Sequence, residues 1–511
     1  MKLTILNEES LHRIEEASFD ILEKAGAQFR DCPSAVQVLK DGGCRMEGYR
    51  AFFPRELVLE CIGRLPDRNN VTYFIPTFSM RNPLRLGKGE SQIGLVGNAY
   101  YYYDYKSRRI RDCREADKPD KALLIEHLGN LAFDFCLLYY SSERSGTTGS
   151  SSNLELPPEE FLKAWVGERA RADGQPFPIA HPRYTKMELR LSILGNIILD
   201  GSSARMEDLV EKSDVSFVWC NPISPLQYHP DEAARIVETA KSDSRYRTIM
   251  ISPEVMMGAT GPVTPAGTLA QMNAEILAGV CLAQLANPGT QVIYGCVCAP
   301  MDLRNAEISQ GNFETALVNA ASVQLADRYG MPSRIAPGNT SAREPGVRAA
   351  VETAIGLVTG VASGGNIITT GLLDSTLMVS YEHLAFVNEL ISQVSGLSSG
   401  IRTDSDSLAV EVIQRAGHPA PDYIQDEHTL RNMGRDIYYS SFTGRIKDSY
   451  ESSYEKSHRL VDEILSQREP GQKISADIEE RLSEVLARLR ENNRNLSSPE
   501  KDWWRYYVLG L

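Results

Sequence analysis

The sequence predicts a mixed α/β chain, a (β/α)8 TIM barrel with an N-terminal α+β extension and a C-terminal helical extension. Between about residues 116 and 397, short apolar runs alternate seven times with longer stretches of helical periodicity. At 511 residues the chain is long for a single core, which suits one large barrel with appendages. A hydrophobic fraction of 42% and a charged fraction of 24% are those of an ordinary globular protein.

The N-terminal region, 1–115, is expected to supply helices and an aromatic hairpin that cap the barrel. Leu11, Ile14, Ala17, Ile21 and Leu22 mark one helical face, and a second short helix is expected over 55–64. Residues 91–109 read as a hairpin: Ile93 and Leu95 lead to Gly97 and Asn98, and four consecutive tyrosines, Tyr100 to Tyr103, follow. The barrel is expected over 116–403, with a helix at 117–128 leading into strands near 131–138, 177–181, 215–220, 247–252, 291–297, 333–336 and 365–370. Helices fall at 156–171, 184–199, 230–241, 266–286, 312–329, 346–362 and 379–396, and an eighth strand is expected near 399–403. Residues 404–511 read as mainly helical, closing in a charged stretch and an aromatic tail with Trp503 and Trp504 that suits docking or a subunit contact.

Composition excludes several classes. The chain has no apolar run of the roughly 18 residues that span a bilayer and no signal-peptide core at its start, so no membrane partner and a cytoplasmic location are expected. A net charge of −13 with dispersed basic residues leaves no footprint for nucleic acid. The nine cysteines form no disulfide framework. Cys296 and Cys298 would share a strand face, as two zinc thiolates or as two buried small apolar groups; with no third ligand nearby, no metal is expected. Residues 145–152 are rich in Gly, Ser and Thr but lack the Gly-Lys-Ser/Thr of a phosphate loop, and neither a nucleophile elbow nor a His-x-x-x-His helix occurs.

The most informative stretch is 249–267, where a buried strand runs into a loop holding Gly258, Gly261, Pro262 and Pro265. It is either an ordinary tight turn or the rigid strand-end loop on which a barrel carries its chemistry. Residues at strand ends point into a barrel's mouth, and here they include Tyr139, Tyr140, His181, Asn221, Glu254, Met256, Met257, Cys298, Asp302, Arg304, Asn339, Thr340, Thr370 and Asp374. Rings and thioethers with one carboxylate suit a quaternary ammonium group. Tyr100 and Tyr102 share a strand face, either joining such a cage or packing beneath the hairpin. His383 and His428 lie in helical surroundings and are expected to be structural.

Several segments resemble the trimethylamine methyltransferase family, whose members move a methyl group from a methylated amine to a corrinoid protein. They are Ser252 and Pro253 with 257–267, then 273–278, 284–295, 324–334, 380–382, and 427–429 behind 406–413, in the family's order. The best-known members encode pyrrolysine in the loop after the sixth strand, whereas residues 336–341 here are all standard. The resemblance is therefore to the non-pyrrolysine branch, whose known substrates are quaternary amines such as glycine betaine. Residues 344–348 and 417–420 also depart from the family pattern.

The resemblance implies methyl transfer from a betaine-like quaternary amine to Co(I) of a cognate corrinoid protein, with the corrinoid (cobalamin) carried by that partner and the enzyme itself a homo-oligomer. On this reading Glu254 and Asn339 are the catalytic residues. Tyr100, Tyr102, Tyr139, Met256, Met257 and His181 would bind substrate, and Gly258, Thr260, Gly338 and Thr340 would lie against the corrin. Two alternatives stay open: a corrinoid-dependent enzyme for another methyl donor, such as a metal-activated thiol or methoxy compound, and a non-catalytic corrinoid-handling protein.

Overall fold

The structure, a computed structural model, describes residues 2–69, 73–75, 84–86, 91–114, 116–138, 215–242, 244, 246–416, 423–440, 442, 451–467, 480, 483 and 487. Seven strands form one parallel sheet: β1 (Gln92–Ala99), β2 (Phe133–Leu138), β3 (Val215–Cys220), β4 (Tyr246–Ile251), β5 (Gln291–Cys296), β6 (Ser333–Gly338) and β7 (Ile367–Thr370). Their spatial order is β3-β4-β5-β6-β7-β1-β2. The last strand in sequence therefore stands beside the first, with Ile367 opposite Gln92, and that seam is how a barrel closes on itself. The strand expected at 177–181 and the helices at 156–171 and 184–199 fall outside the described residues, as do Tyr139, Tyr140 and His181.

The helices between these strands follow from local chemistry. In the N-terminal region are α1 (Glu8–Lys24), α2 (Pro33–Asp41) and α3 (Arg55–Gly63), and α4 (Asp117–His127) links β1 to β2. Around the barrel run α5 (Pro230–Lys241), α6 (Pro265–Ala286), α7 (Phe313–Arg328), α8 (Val347–Ser363) and α9 (Tyr381–Ser399). Proline opens both α5 and α6, where its missing N–H has no intrahelical partner to lose. By length and composition α6 could cross a membrane, but every residue from Thr268 to Gln284 is buried. The barrel covers its inner side and α1, α2 and α3 its outer side, which is why the helix carries no polar face.

Two expectations are corrected. Residues 400–403 form no strand, and the strand that completes the seam is Gln92–Ala99, expected as half of a hairpin. The glycines misled: they serve close packing and not a turn. A Cβ at Gly94 would lie 2.2 Å from the Phe133 carbonyl oxygen, and one at Gly97 would lie 2.5 Å from Leu372 Cδ1. The hairpin comes one strand later, with Tyr101–Asp104 antiparallel to Arg109–Asp112. It pairs with Met378–Val379 beyond the end of β7, so position 115 falls between two strands of the sheet.

Beyond the barrel lie α10 (Ser405–Leu408), α11 (Val410–Ala416), α12 (Glu427–Asp436) and α13 (Ser453–Ser466). The last packs on α9 and α4.

Candidate active site in the barrel lumen

Strand register decides which side chains share the lumen. Ile251 and Tyr294 stand level and face outward: the Tyr294 hydroxyl donates to Asn273 Oδ1 on α6 at 2.9 Å, and a Cβ at Gly279 would meet Ile251 Cδ1 at 2.6 Å. Their alternates, Met250, Ser252 and Gly295, therefore face inward. Arg334 stands level with Gly295, and its guanidinium carbon lies 4.8 Å from the centre of the Trp219 ring, across the lumen from β3. Past the end of β4 the ladder continues through Val297 N–H to Pro253 O at 3.1 Å and Ala299 N–H to Val255 O at 3.4 Å. That continuation holds Glu254 on the lumen face, two residues beyond Ser252.

The electrostatics of this cluster are unusual. Arg334 is 3% exposed, and its Nε and Nη1 have no hydrogen-bond partner. Burial lowers its pKa to about 10, although the Glu254 carboxylate pulls the other way. The Ser252 hydroxyl is also buried without a partner. A Cβ at Gly295 would fall 1.9 Å from Ser252 Oγ, so glycine is what leaves room for that oxygen on the lumen face, with Arg334 level with Gly295 on the next strand. Glu254 keeps open surface, yet burial raises its carboxyl pKa, with Arg334 opposing. Both facts describe a group on the wall of a recess, touching open space while protein surrounds it. The Trp219 indole donates to Asn221 Oδ1 at 2.9 Å and so fixes the ring under the guanidinium.

Other expected residues are placed differently. Met256 is half-buried, while Met257 faces away into the core. The Met256 N–H donates to Thr260 Oγ1 at 2.9 Å, the Gly258 N–H donates to Gly261 O at 3.0 Å, and Gly258 has φ +89°. Thr260 therefore closes this turn, and Gly258 stands with Ala259 at its exposed tip. After β6, Asn339 is buried and its Oδ1 accepts from Leu372 N–H at 3.3 Å. Thr340 Oγ1 donates to Glu352 Oε2 at 2.5 Å, and the Ser341 N–H reaches the same oxygen at 3.0 Å. A Cβ at Gly338 would lie 2.6 Å from Thr370 Oγ1. Gly338, Asn339 and Thr340 thus brace the mouth's loops.

Tyr102 is spent inside the fold. Arg111 sits 4.0 Å above its ring, Tyr381 meets it edge-on at 4.9 Å, and burial pushes its phenol up. Tyr100 is half-buried, its N–H bonded to Leu377 O at 2.9 Å. His383 is buried between Tyr454 Oη at 3.0 Å and Thr353 Oγ1 at 3.4 Å, and burial lowers its pKa to about 3, so it stays neutral. His428 Nε2 lies 2.8 Å from the Asp406 carbonyl oxygen. Cys296 and Cys298 are buried, and burial raises the Cys298 thiol well above its ordinary value. Among the described residues, three potential metal ligands converge at His12, Glu15 and Glu16 on α1, where Glu15 is paired with Arg328 and Glu16 with Arg55.

The residues that sequence reasoning passed over are Trp219, Ser252 as a site group, and Arg334. The signal for Arg334 was legible: a lone cation in a strand whose other residues, Ile335 and Ala336 among them, are apolar or small.

A curled sheet of seven parallel strands, its last strand beside its first and titratable groups on its inner face near the strand ends, defines an α/β-barrel enzyme. The chain belongs to the trimethylamine methyltransferase (MTTB) family, whose profile matches residues 1–124 and 199–493, and it is a methyltransferase. It is 27% identical to the glycine betaine methyltransferase of Desulfitobacterium hafniense (strain Y51), over 95% of this chain and 97% of the relative. It is 34% identical to the trimethylamine methyltransferase MttB of Methanosarcina thermophila, over 82% of each. Among solved structures, the monomethylamine methyltransferase MtmB of Methanosarcina barkeri aligns with a TM-score of 0.44 at 11% identity, covering 89% of this chain and 94% of that one.

Proposed function

We propose that this methyltransferase takes its methyl group from a betaine, a quaternary ammonium compound that also carries a carboxylate, and delivers it to Co(I) of a separate corrinoid protein. The observation that carries this reading is Arg334, a buried guanidinium with Nε and Nη1 unpartnered, on the same lumen face and at the same level as the unpartnered Ser252 hydroxyl. Leaving such donors bare in a dry site is costly unless a ligand fills them, and a planar fork of N–H groups matches a carboxylate. Glu254, on the same lumen face and nearer the strand ends, offsets the ammonium, and Met256 lines the space beside it. The substrate then lies with its carboxylate inward and its N–CH3 groups toward the mouth.

In the reaction the N–CH3 bond breaks and its electron pair stays on nitrogen, which leaves a neutral tertiary amine. No proton moves, so the chain's residues need only bind, orient and exclude water. The corrinoid supplies a nucleophilic cobalt for the methyl group. Large apolar residues stand exposed after four of the strands: Ile223 after β3, Val263 after β4, Leu303 and Phe313 after β5, and Leu377 after β7. An apolar rim of this kind suits a flat macrocycle presented by another protein. We place the reaction in the cytoplasm, where nine free, buried thiols stay reduced.

The test is methyl transfer to a reduced corrinoid protein from a donor panel. Glycine betaine and proline betaine should be used, with choline and tetramethylammonium at least tenfold poorer. Equal use of carboxylated and uncarboxylated donors overturns the betaine assignment. Activity only with a thiol or methoxy donor moves the reading to a metal-activated class.

A further inference from the structure

The loop between β5 and α7 stands at the barrel's mouth, where strand ends pass to the following helices. Thr315 Oγ1 donates to Ser309 O at 3.1 Å and draws residues 309–315 into a compact knot with Phe313, 67% exposed, on its outside. Two acceptors flank that closure. Gln310 is 3% exposed and Glu314 half-buried, and among the described residues neither Gln310 Oε1 nor Glu314 Oε2 has a hydrogen-bond partner. Bare buried acceptors are costly, and they call for a ligand that donates. The betaine is not that ligand, because a carboxylate and a quaternary ammonium group bring no N–H.

Neighbouring loops fix the knot in place. Hydrogen bonds run from the Gly311 N–H to Ser341 Oγ at 3.5 Å, from that hydroxyl to Ser375 Oγ at 3.0 Å, and from Ser375 Oγ back to Ile308 O at 3.0 Å, so the loops after β5, β6 and β7 close a ring. Asp374, Ser375 and Thr376 all take the left-handed conformation, with φ of 48°, 53° and 79°, a run that residues other than glycine hold only when their surroundings force it. The forcing contacts are Asp374 N–H to Ala342 O and Ser375 N–H to Thr340 O, both at 2.9 Å, and Arg343 Nε to Asp374 Oδ1 at 2.9 Å. We propose that these locked loops seat the partner's corrin, with Gln310 Oε1 and Glu314 Oε2 accepting N–H groups from the primary amides on its rim and Phe313 supplying apolar contact beside them. A corrin suits the pair because acetamide and propionamide groups, which donate N–H, surround its ring. Delivery of the methyl group to a corrinoid is the reading on which this seat rests. The corrin contacts then fall on the loop after β5 and not on Gly338 or Thr340, which brace the mouth's loops.

The test uses free hydroxocobalamin and the full chain, in equilibrium dialysis read by the visible absorbance of the corrin. Wild type should take it up. Gln310→Leu, which keeps the bulk and removes the acceptor, should weaken uptake roughly fivefold or more, and so should Glu314→Leu. Gln310→Glu, which keeps an acceptor, should stay near wild type. Ser375→Ala opens the ring of loops and should weaken uptake as well; full affinity there strikes the lock from the proposal. Affinity for glycine betaine, measured by calorimetry, should be the same in all four variants. The ligand side needs no variant: cobalamin whose rim amides have been hydrolysed to carboxylates should bind wild type more weakly than intact cobalamin. Equal binding of those two ligands overturns the proposal, as do full cobalamin affinity in Gln310→Leu and a wild type that takes up no cobalamin. Cobalamin uptake without methyl transfer from any donor fails the betaine reading alone, whereas transfer from betaines with uptake unchanged in every variant fails the seat alone.

Discussion

Arg334 on β6 is held by the face of Trp219 on β3, guanidinium carbon 4.8 Å from ring centre, and not by hydrogen bonds at Nε or Nη1. A stacked arginine is fixed in direction while its in-plane donors stay available. The indole is in turn locked by its bond to Asn221. The arrangement holds a cation ready for an anion and explains why the lumen tolerates Glu254 nearby without a direct ion pair being required.

Arg334→Lys should separate charge from geometry. Lysine keeps the positive charge but loses the planar fork, so KM for glycine betaine is expected to rise about 10- to 100-fold, or roughly 1.5 to 3 kcal/mol. Activity on choline, which offers no carboxylate, should change little. Equal losses on both donors would mean that Arg334 supports the fold of the lumen and not the substrate.

Glu254→Gln removes the counter-charge and keeps the shape. Burial raises the Glu254 carboxyl pKa, so its ionised form is lost earlier on acidification than for an ordinary glutamate. KM for the betaine in the wild type should therefore climb as pH falls through the weakly acidic range, while kcat varies less. In the Gln variant KM should already be high and flat across that range. Two parallel profiles would remove Glu254 from substrate binding.

Tyr102 offers a contrast between a cage and a packing ring. With Arg111 on one face and Tyr381 at its edge, Tyr102→Leu should lower stability by about 1 to 2 kcal/mol, read as a lower denaturation midpoint, and leave donor preference intact. Tyr102→Phe should be close to wild type in both measurements. A change in donor preference with stability unaltered would restore Tyr102 to the substrate site.

The barrel was legible because strand and helix periods differ and α5 to α9 begin and end within a few residues of the expected positions. What misled was β1, where Gly97 and Asn98 resemble a turn; glycine chosen for close approach and glycine chosen for a turn look alike in sequence. The candidate site was legible in part. Strand-end logic found Glu254 and Asn221, but it also selected Asn339 and Thr340, whose polar atoms are used to brace loops, a fact visible only when Leu372 and Glu352 are brought beside them. Arg334 escaped because it sits near the start of its strand, and strand stagger around the barrel lifts it to the level of Ser252.

Glu275 on α6 gives a test that reads the fold alone. It is fully buried, with its carboxylate accepting from the Ser224 hydroxyl at 2.8 Å, the Leu226 N–H at 2.9 Å and Gln271 Nε2 at 3.0 Å. Burial outweighs these three bonds and raises its pKa to about 7, against an ordinary value of 4.5. A carboxyl raised in the folded state favours folding while protonated: its contribution is full below about pH 4.5 and is lost as pH rises through about 7. The swing is on the order of 3 kcal/mol. Glu275→Gln cannot ionise, and the Ser224 hydroxyl can turn to accept from the new amide while Oε1 keeps its two donors. Urea unfolding of both proteins at pH 5 and pH 8.5 measures the difference: the variant should gain on the wild type as pH rises. A gap between the two that stays constant with pH would show that Glu275 is already ionised in the folded chain.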